Sequence, residues 1–391
     1  MIARFFTGLL LIIWTTSSSL PAQHASGDIP PMRLSNTPGR AFGAELTVTS
    51  RGQVLATWSH VEDSTEEVFF RRSSDGGKTF SPMYQLSKTP DGFSLYSSIA
   101  ATDRGKIYVA WARSAAQESP AIMLRSSRLG GLLFSEPRCV SLLNSFPPEP
   151  KVVAGPQGFV GVVWTESTGS AFELYFTRSA DGGHTFTSPA LLERRYRILH
   201  QRAILNQQGT IHVVWAGRDP GEGRTNVIFL SRSTDGGLTF STPVRLTSAT
   251  AVDTIPAYPQ VAASGEAVYV AWTDVRSGQI QLRRSQDNGL TFDPPLTVAP
   301  QSGASPFGLG ISESGTVYLA YFANGAFEVI RSENGGGTFE PVRRLPGVSQ
   351  VSGEGLRMAV GSRELMYLLW VSGSGHGVRT FFARVDGQVT P

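Results

Sequence analysis

The sequence predicts an all-β chain, a seven-bladed β-propeller of four-stranded antiparallel blades closed by an N-terminal strand. Three observations carry this. A short turn phrase recurs about every 50 residues, the period of a sheet-blade array rather than of helical repeats. Seven strand-like runs end in Trp or Tyr at the same place in each repeat. The 42 glycines and 24 prolines suit many short strands joined by turns, and no helical heptad pattern runs through the chain. Six blades is the alternative if the degenerate second unit or the last unit is not a blade.

The N-terminal segment comes first. Arg4 supplies a short positive region and Phe5 to Trp14 an apolar stretch, followed by small residues at Ala22 and Ala25. This reads as an export signal over residues 1–25, with a single propeller domain over 26–391. Ten apolar residues are too few to span a bilayer, so no membrane span is expected after cleavage, and the protein is expected to be secreted or periplasmic. Cys139 is the one thiol, so no internal disulfide can form and packing alone must hold the fold.

Each repeat then follows one grammar. Its second strand ends at Trp58, Trp111, Trp164, Trp215, Trp272, Tyr321 or Trp370. Third strands such as LYFTRS and IFLSRS mostly end in Arg-Ser and lead into the turn phrase. That phrase reads SSDGGKTF from Ser73, SADGGHTF from Ser179, STDGGLTF from Ser233, SQDNGLTF from Ser285 and SENGGGTF from Ser332, with a worn copy, SRLGGLLF, from Ser127. Asp75, Asp181, Asp235 and Asp287 can accept hydrogen bonds from backbone N–H groups of their own turns, and Asn334 can imitate them. The glycines permit positive φ, and the Phe that closes each phrase is expected to drop between adjacent blades. Each turn supplies one carboxylate where calcium needs six to eight oxygens, so no metal is expected there. The last unit lacks a fourth strand, but PMRLS at Pro31–Ser35 resembles PVRLT at Pro243–Thr247 and can complete it. Such closure would remove open sheet edges.

The S-x-D-G-G-x-T-F phrase resembles the Asp box, or bacterial neuraminidase repeat, of the sialidase-like β-propeller superfamily, and it covers nearly the whole mature chain. The resemblance implies that fold more strongly than any one activity, because the same box occurs in sialidases, other glycosidases, assembly factors and sorting receptors. A sialidase site would need three arginines on the substrate carboxylate, a Tyr/Glu pair and an Asp acid. The F/Y-R-I-P phrase of that family is absent, and no Tyr/Glu pair can be assigned.

A ligand site is expected at the axial face opposite these turns. The first residues of the innermost strands read Glu45, Ser98, Lys151, Arg202, Gln260, Gly308 and Arg357. Three cations and a carboxylate at one repeat position would converge on the axis and suit an anionic or polyhydroxylated ligand. The second-to-third strand loops add His60, Glu62, Asp63, Arg113, Glu166, Arg218, Asp219, Asp274 and Arg276; the loops leading to the innermost strands add Tyr96, Tyr196, Arg197, His200 and Tyr258. No G-x-S-x-G, H-E-x-x-H or P-loop phrase occurs, and no cofactor is expected. The +3 charge is interspersed, with no basic stripe for nucleic acid. The expected protein is an exported monomer binding a glycan or small anion at its axial face. A glycoside hydrolase acting on acidic sugars and a protein-binding scaffold are the alternatives.

Overall fold

The computed structural model describes residues 28–387 apart from 64, 144, 146–148, 196, 219–225, 248–255, 300–306, 324, 347–350 and 352–355. Residues 1–25, read above as an export signal, therefore lie outside the described residues, as do Asp219 and Tyr196. The described chain is nearly all β, in antiparallel sheets consistent with a propeller.

A lone strand β1 (Ile29–Arg33) precedes the repeats. The first unit holds β2 (Arg40–Val48), β3 (Val54–Glu62), β4 (Thr65–Ser73) and β5 (Tyr84–Gln85). The second holds β6 (Gly92–Ala101), β7 (Ile107–Ala115), β8 (Ala121–Ser127) and β9 (Arg138–Leu142). Then come β10 (Lys151–Ala154), β11 (Val160–Ser167), β12 (Phe172–Ser179) and β13 (Ala190–Arg195). The fourth unit has β14 (Arg197–Leu205), β15 (Ile211–Arg218), β16 (Val227–Ser233) and β17 (Val244–Arg245). The fifth has β18 (Pro256–Ser264), β19 (Ala267–Asp274), β20 (Gln279–Ser285) and β21 (Leu296–Ala299). The sixth has β22 (Phe307–Ile311), β23 (Val317–Ala323), β24 (Ala326–Ser332) and β25 (Glu340–Pro346). The chain ends with β26 (Leu356–Val360), β27 (Leu365–Ser372) and β28 (Arg379–Asp386).

Every unit pairs its strands in sequence order, and the first two units are joined by one parallel pairing, Glu66 with Phe93. The last three strands take β1 as their fourth, pairing Met32 with Phe382 and Arg33 with Phe381. The innermost strands neighbour one another in cyclic order: β2, β6, β10, β14, β18, β22, β26 and back to β2.

Buried apolar clusters sit between successive units because the sheet faces are apolar on both sides. The second-strand Trp residues are their anchors, with Trp58, Trp164 and Trp215 fully buried. The turn phenylalanines Phe80, Phe186, Phe240, Phe292 and Phe339 pack against these clusters while only partly buried.

The Asp-bearing turns close on themselves. In the first, Ser73 donates to Asp75 at 2.7 Å, the Gly77 N–H donates to Ser73 at 2.8 Å, and the Thr79 N–H and hydroxyl both donate to Asp75. The same network recurs around Asp181, Asp235 and Asp287, and Asn334 reproduces it with an amide. The worn second copy retains the Gly131 N–H to Ser127 bond.

A further ring of contacts links the units. The arginine ending each third strand donates to a carbonyl of the next unit's turn: Arg72 to Gly130, Arg178 to Gly236, Arg232 to Asn288, Arg284 to Gly335, Arg331 to Gly387 and Arg384 to Gly76. The second unit has Ser126 at that position. There Lys106, from β7's leading turn, reaches Gly182 O at 3.0 Å instead. The last of these clasps, Arg384 to Gly76, joins the C-terminal strand to the first turn.

Candidate functional site

Glu45, Lys151, Arg202 and Arg357 stand at one register level on four innermost strands. Each pairs with the residue just before a second-strand aromatic: Thr57, Val163, Val214 and Leu369. Lys151 Nζ lies 2.7 Å from Glu45 Oε1, and Arg357 Nε lies 3.1 Å from the same oxygen. Arg202 is near enough for its charge to act on both Glu45 and Lys151. Lys151 and Arg357 are 7% and 9% exposed, so this is a desolvated charge cluster rather than a surface ion pair.

The electrostatics follow from that burial. Burial pushes the Glu45 carboxyl up, but Arg357, Lys151 and Arg202 together outweigh it and hold the group far below the ordinary carboxylate range. Burial lowers the Lys151 ammonium, and Arg202 adds to the lowering while Glu45 opposes it. Three cations therefore surround one ionised carboxylate.

The remaining positions at this level are small or neutral. Ser98 Oγ accepts the Val152 N–H at 3.0 Å and ties β6 to β10. At Gly308 an added Cβ would lie 2.6 Å from Met358 Cβ, so the close approach of β22 to β26 requires glycine.

The innermost strands run further than the sequence suggests. Glu45 and Arg202 do not begin their strands; each follows a β-bulge, as do Ser98 and Gln260. In all four, two residues face a single tryptophan: Trp58, Trp111, Trp215 or Trp272. The first bulge residue is left-handed each time: Gly43 (φ 58), Tyr96 (φ 55), His200 (φ 54) and Tyr258 (φ 55). A non-glycine residue in that region costs roughly 1–3 kcal/mol and persists where surrounding structure imposes it, often at functional sites. Tyr96, His200 and Tyr258, expected in loops, are thus strand residues. The His200 and Tyr258 rings lie 4.3 Å apart across neighbouring strands β14 and β18, and Phe42 meets Tyr96 edge-on at 5.9 Å.

The second-strand candidates have local partners instead. They too lie mostly on strands rather than in loops. Arg113, on β7, pairs with Glu118 at 2.5 Å. Glu166, buried on β11, accepts the Trp164 indole N–H at 2.8 Å. Asp274 ends β19 and accepts the Arg276 N–H and the Ser277 hydroxyl, closing its own turn, which leaves the Arg276 side chain exposed. Arg218 ends β15 opposite Arg197. His60 is buried on β3 and hydrogen-bonds Thr37 at 2.8 Å. A Tyr/Glu pair does occur, Tyr175 donating to Glu173, but both are third-strand residues and Glu173 also meets Arg194. The structure therefore brings together the four innermost-strand charges and, separately, the His200–Tyr258 stack.

Sequence reasoning named His200 and Tyr258 without seeing that they are equivalent. The signal was present: each lies two residues before an innermost-strand position, as do Gly43 and Tyr96.

No known family model matches the sequence, and no curated protein matches it. Solved structures do match the fold. A protein of unknown function from Dyadobacter fermentans superposes with a TM-score of 0.60 at 15% identity, over 92% of this chain and 99% of that one. A PL25 ulvan lyase bound to -[GlcA(1-4)Rha3S]- gives 0.58 at 11% identity, over 88% and 94%. The Hadza microbial sialidase Hz136 gives 0.52 at 16% identity, over 89% of this chain and 66% of that one. At such identities the likeness concerns the fold, and the fold is sialidase-like.

Proposed function

We propose that this is an exported, seven-bladed propeller, closed through β1, that binds an acidic glycan at its axial hub. The observation that carries the reading is the buried group of Lys151, Arg202 and Arg357 around Glu45. Desolvated charges are costly unless opposite charges meet them; Glu45 meets Lys151 and Arg357, and the Glu149 charge also acts on Lys151. A concentration of buried cations at one level suits a bound carboxylate or sulfate, to which Arg202 and Arg357 present planar guanidinium groups. Glycan-active neighbours of the same fold, a sialidase and a lyase holding a sulfated uronate polymer, agree with this ligand class. Export through cleavage after residue 22 or 25 would place the hub among extracytoplasmic polysaccharides.

The test is binding of the mature protein to a panel of sialosides, polygalacturonate, alginate, hyaluronan and a sulfated glucuronate–rhamnose polymer. Arg202→Met and Arg357→Met, each confirmed as folded by circular dichroism, should weaken binding at least about tenfold, since a hydrogen bond to a charged group contributes roughly 1.5–3 kcal/mol. Absence of binding to every acidic glycan, or binding indifferent to both substitutions, defeats the reading.

A further inference from the structure

Most of the large apolar side chains exposed among the described residues stand in turn phrases: Leu129, Leu132 and Leu133 in the second unit, Leu238 in the fourth and Leu290 in the fifth. The second unit's turn is unlike the rest. Where the other five bond an Asp or Asn to a Thr, it has Leu129 and Leu133, 56% and 65% exposed, with Leu132 at 58%. Its shape is held all the same. The Gly131 N–H donates to Ser127 at 3.0 Å, the Leu132 N–H to Leu129 O at 3.2 Å, and Gly130 O accepts Gln53 and Arg72 of the first unit. The partly exposed Tyr84 ring lies 5.6 Å from Phe134 at its base. It is also the one turn phrase without a carboxylate: Asp75, Asp181, Asp235, Asp287 and Glu333 place one in each of the others, and here Arg128 stands beside the leucines. Arg128 is exposed and close enough for its charge to act on Lys106. Arg104, in the same leading turn as Lys106, and Arg138, which opens β9, outweigh Asp103 and Glu136 further. Leu290, by contrast, shares its turn with Asp287 and Asp293, and Glu266 O accepts the Asn288 N–H beside them.

We propose that the second unit's turn is a docking tip for an anionic lipid bilayer, with Leu129, Leu132 and Leu133 entering the acyl boundary and Arg128 meeting the headgroup phosphates. The inference is independent of the hub reading. Ser127, which opens the turn, pairs with Ile107, and Ile107 with Ala101, whereas hub-level Ser98 pairs with Ala110; the tip lies beyond the hub level toward the other rim. Leucines ringed by cations match a surface whose interior is hydrocarbon and whose face is negative. A fluid bilayer closes around a projecting tip and needs no complementary pocket. A stable protein interface instead covers about 800 Å² on each partner, more than three leucine side chains can supply. Tyr84, with an apolar ring and a polar hydroxyl at the base of the tip, suits the headgroup level. Loss of the Asp–Thr pair exchanges a self-closing turn for one that closes on a membrane.

The test is flotation of the mature protein with vesicles of phosphatidylcholine alone and of phosphatidylcholine mixed with phosphatidylglycerol. The mixed vesicles should be bound, and less so as salt is raised. Leu129→Asp with Leu133→Thr rewrites the turn as the phrase of the other units, so this variant has every reason to fold. It should weaken binding at least about tenfold, and so should Leu132→Ser with Leu133→Ser, which leaves the charge unaltered. Arg128→Ser should weaken it about fivefold. Leu238→Ser, which removes a leucine 66% exposed in a carboxylate-bearing turn, should leave binding unchanged. Equal binding to the two vesicles, binding to neither, or binding indifferent to both double variants overturns the proposal. An equal loss in Leu238→Ser overturns it too. Self-association that the double variants abolish, without any vesicle binding, would make a second copy the occupant and overturn it likewise.

Discussion

Asn288 shows how one residue's departure from a repeat is absorbed by its neighbours. It stands where the other turns have glycine, keeps a left-handed φ of 58°, and its backbone carbonyl oxygen accepts hydrogen bonds from Arg232 and the His212 ring. Its amide also links Asn206 and Thr210, so the fifth turn is held by more side chains than any perfect copy needs. Glu45 is the opposite case, a residue with no substitute. Glu45→Gln removes the carboxylate that both Lys151 and Arg357 meet. Breaking a buried ion pair costs roughly 3–5 kcal/mol, so urea denaturation should show a loss of that order, partly recovered by a bound polyuronate. Recovery should be absent with neutral glycans.

Among elements, the Asp-bearing turn and the inter-unit clasp govern stability. Burial raises the Asp75 carboxyl, but the hydrogen bonds donated by the Thr79 hydroxyl and N–H, the Ser73 hydroxyl and the Lys78 N–H together outweigh it and bring the group down to about 2, against an ordinary 3.8. At Asp181, Asp235 and Asp287 the threonine hydroxyl bond leads the lowering, which goes further still. A folded value below the unfolded one contributes stability that is full above about pH 4 and is lost as pH falls toward 2. The denaturation midpoint should fall across that window, and Asp235→Asn should flatten the fall; an unaltered acid profile would contradict the assignment. These side chains are solvent-exposed, so each turn contributes modestly. Clasps act between turns. Lys106→Ala removes the cation that reaches Gly182 and sits 4.9 Å from the Tyr108 ring centre, and should cost about 1–2 kcal/mol. Adding Ser126→Arg, which restores the arrangement of the other units, should recover most of that loss in thermal unfolding. Phe176, 1% exposed and packed on Phe240, should cost about 3–5 kcal/mol as Phe176→Ala. Phe240→Ala should cost less, being only partly buried.

For the whole molecule, β1 and the Arg384–Gly76 contact join the N-terminal and C-terminal parts of the described chain. Ser35 accepts the Thr380 N–H at 3.0 Å, and Asp28 accepts the Asp386 N–H at 2.8 Å, so the N-terminal strand is fastened along its length. Deleting residues 28–35 would leave the edge of β28 unpaired. An open strand edge recruits other chains. Size-exclusion chromatography of the truncated protein should show self-association together with a lowered unfolding temperature, and a stable monomer would argue that β1 is dispensable. The strands near that junction also carry part of the charge cluster, since β26 holds Arg357, β2 holds Glu45, and the two strands are neighbours. Truncation should therefore weaken acidic-glycan binding even where folded protein survives.

Period and pattern alone determined the all-β class, the repeat unit, the self-closing chemistry of the Asp-bearing turns and the shared register of Glu45, Lys151, Arg202 and Arg357. These are local or periodic properties, and a repeat copies its local geometry wherever its sequence is copied. Pairing partners are not local. That Lys106 replaces a missing arginine, that Glu166 and Asp274 serve their own neighbours, and that a bulge stacks His200 on Tyr258 all depend on which side chains adjacent strands bring within a few ångströms. The strands' twist and the seams between units decide that, and no residue spacing records it.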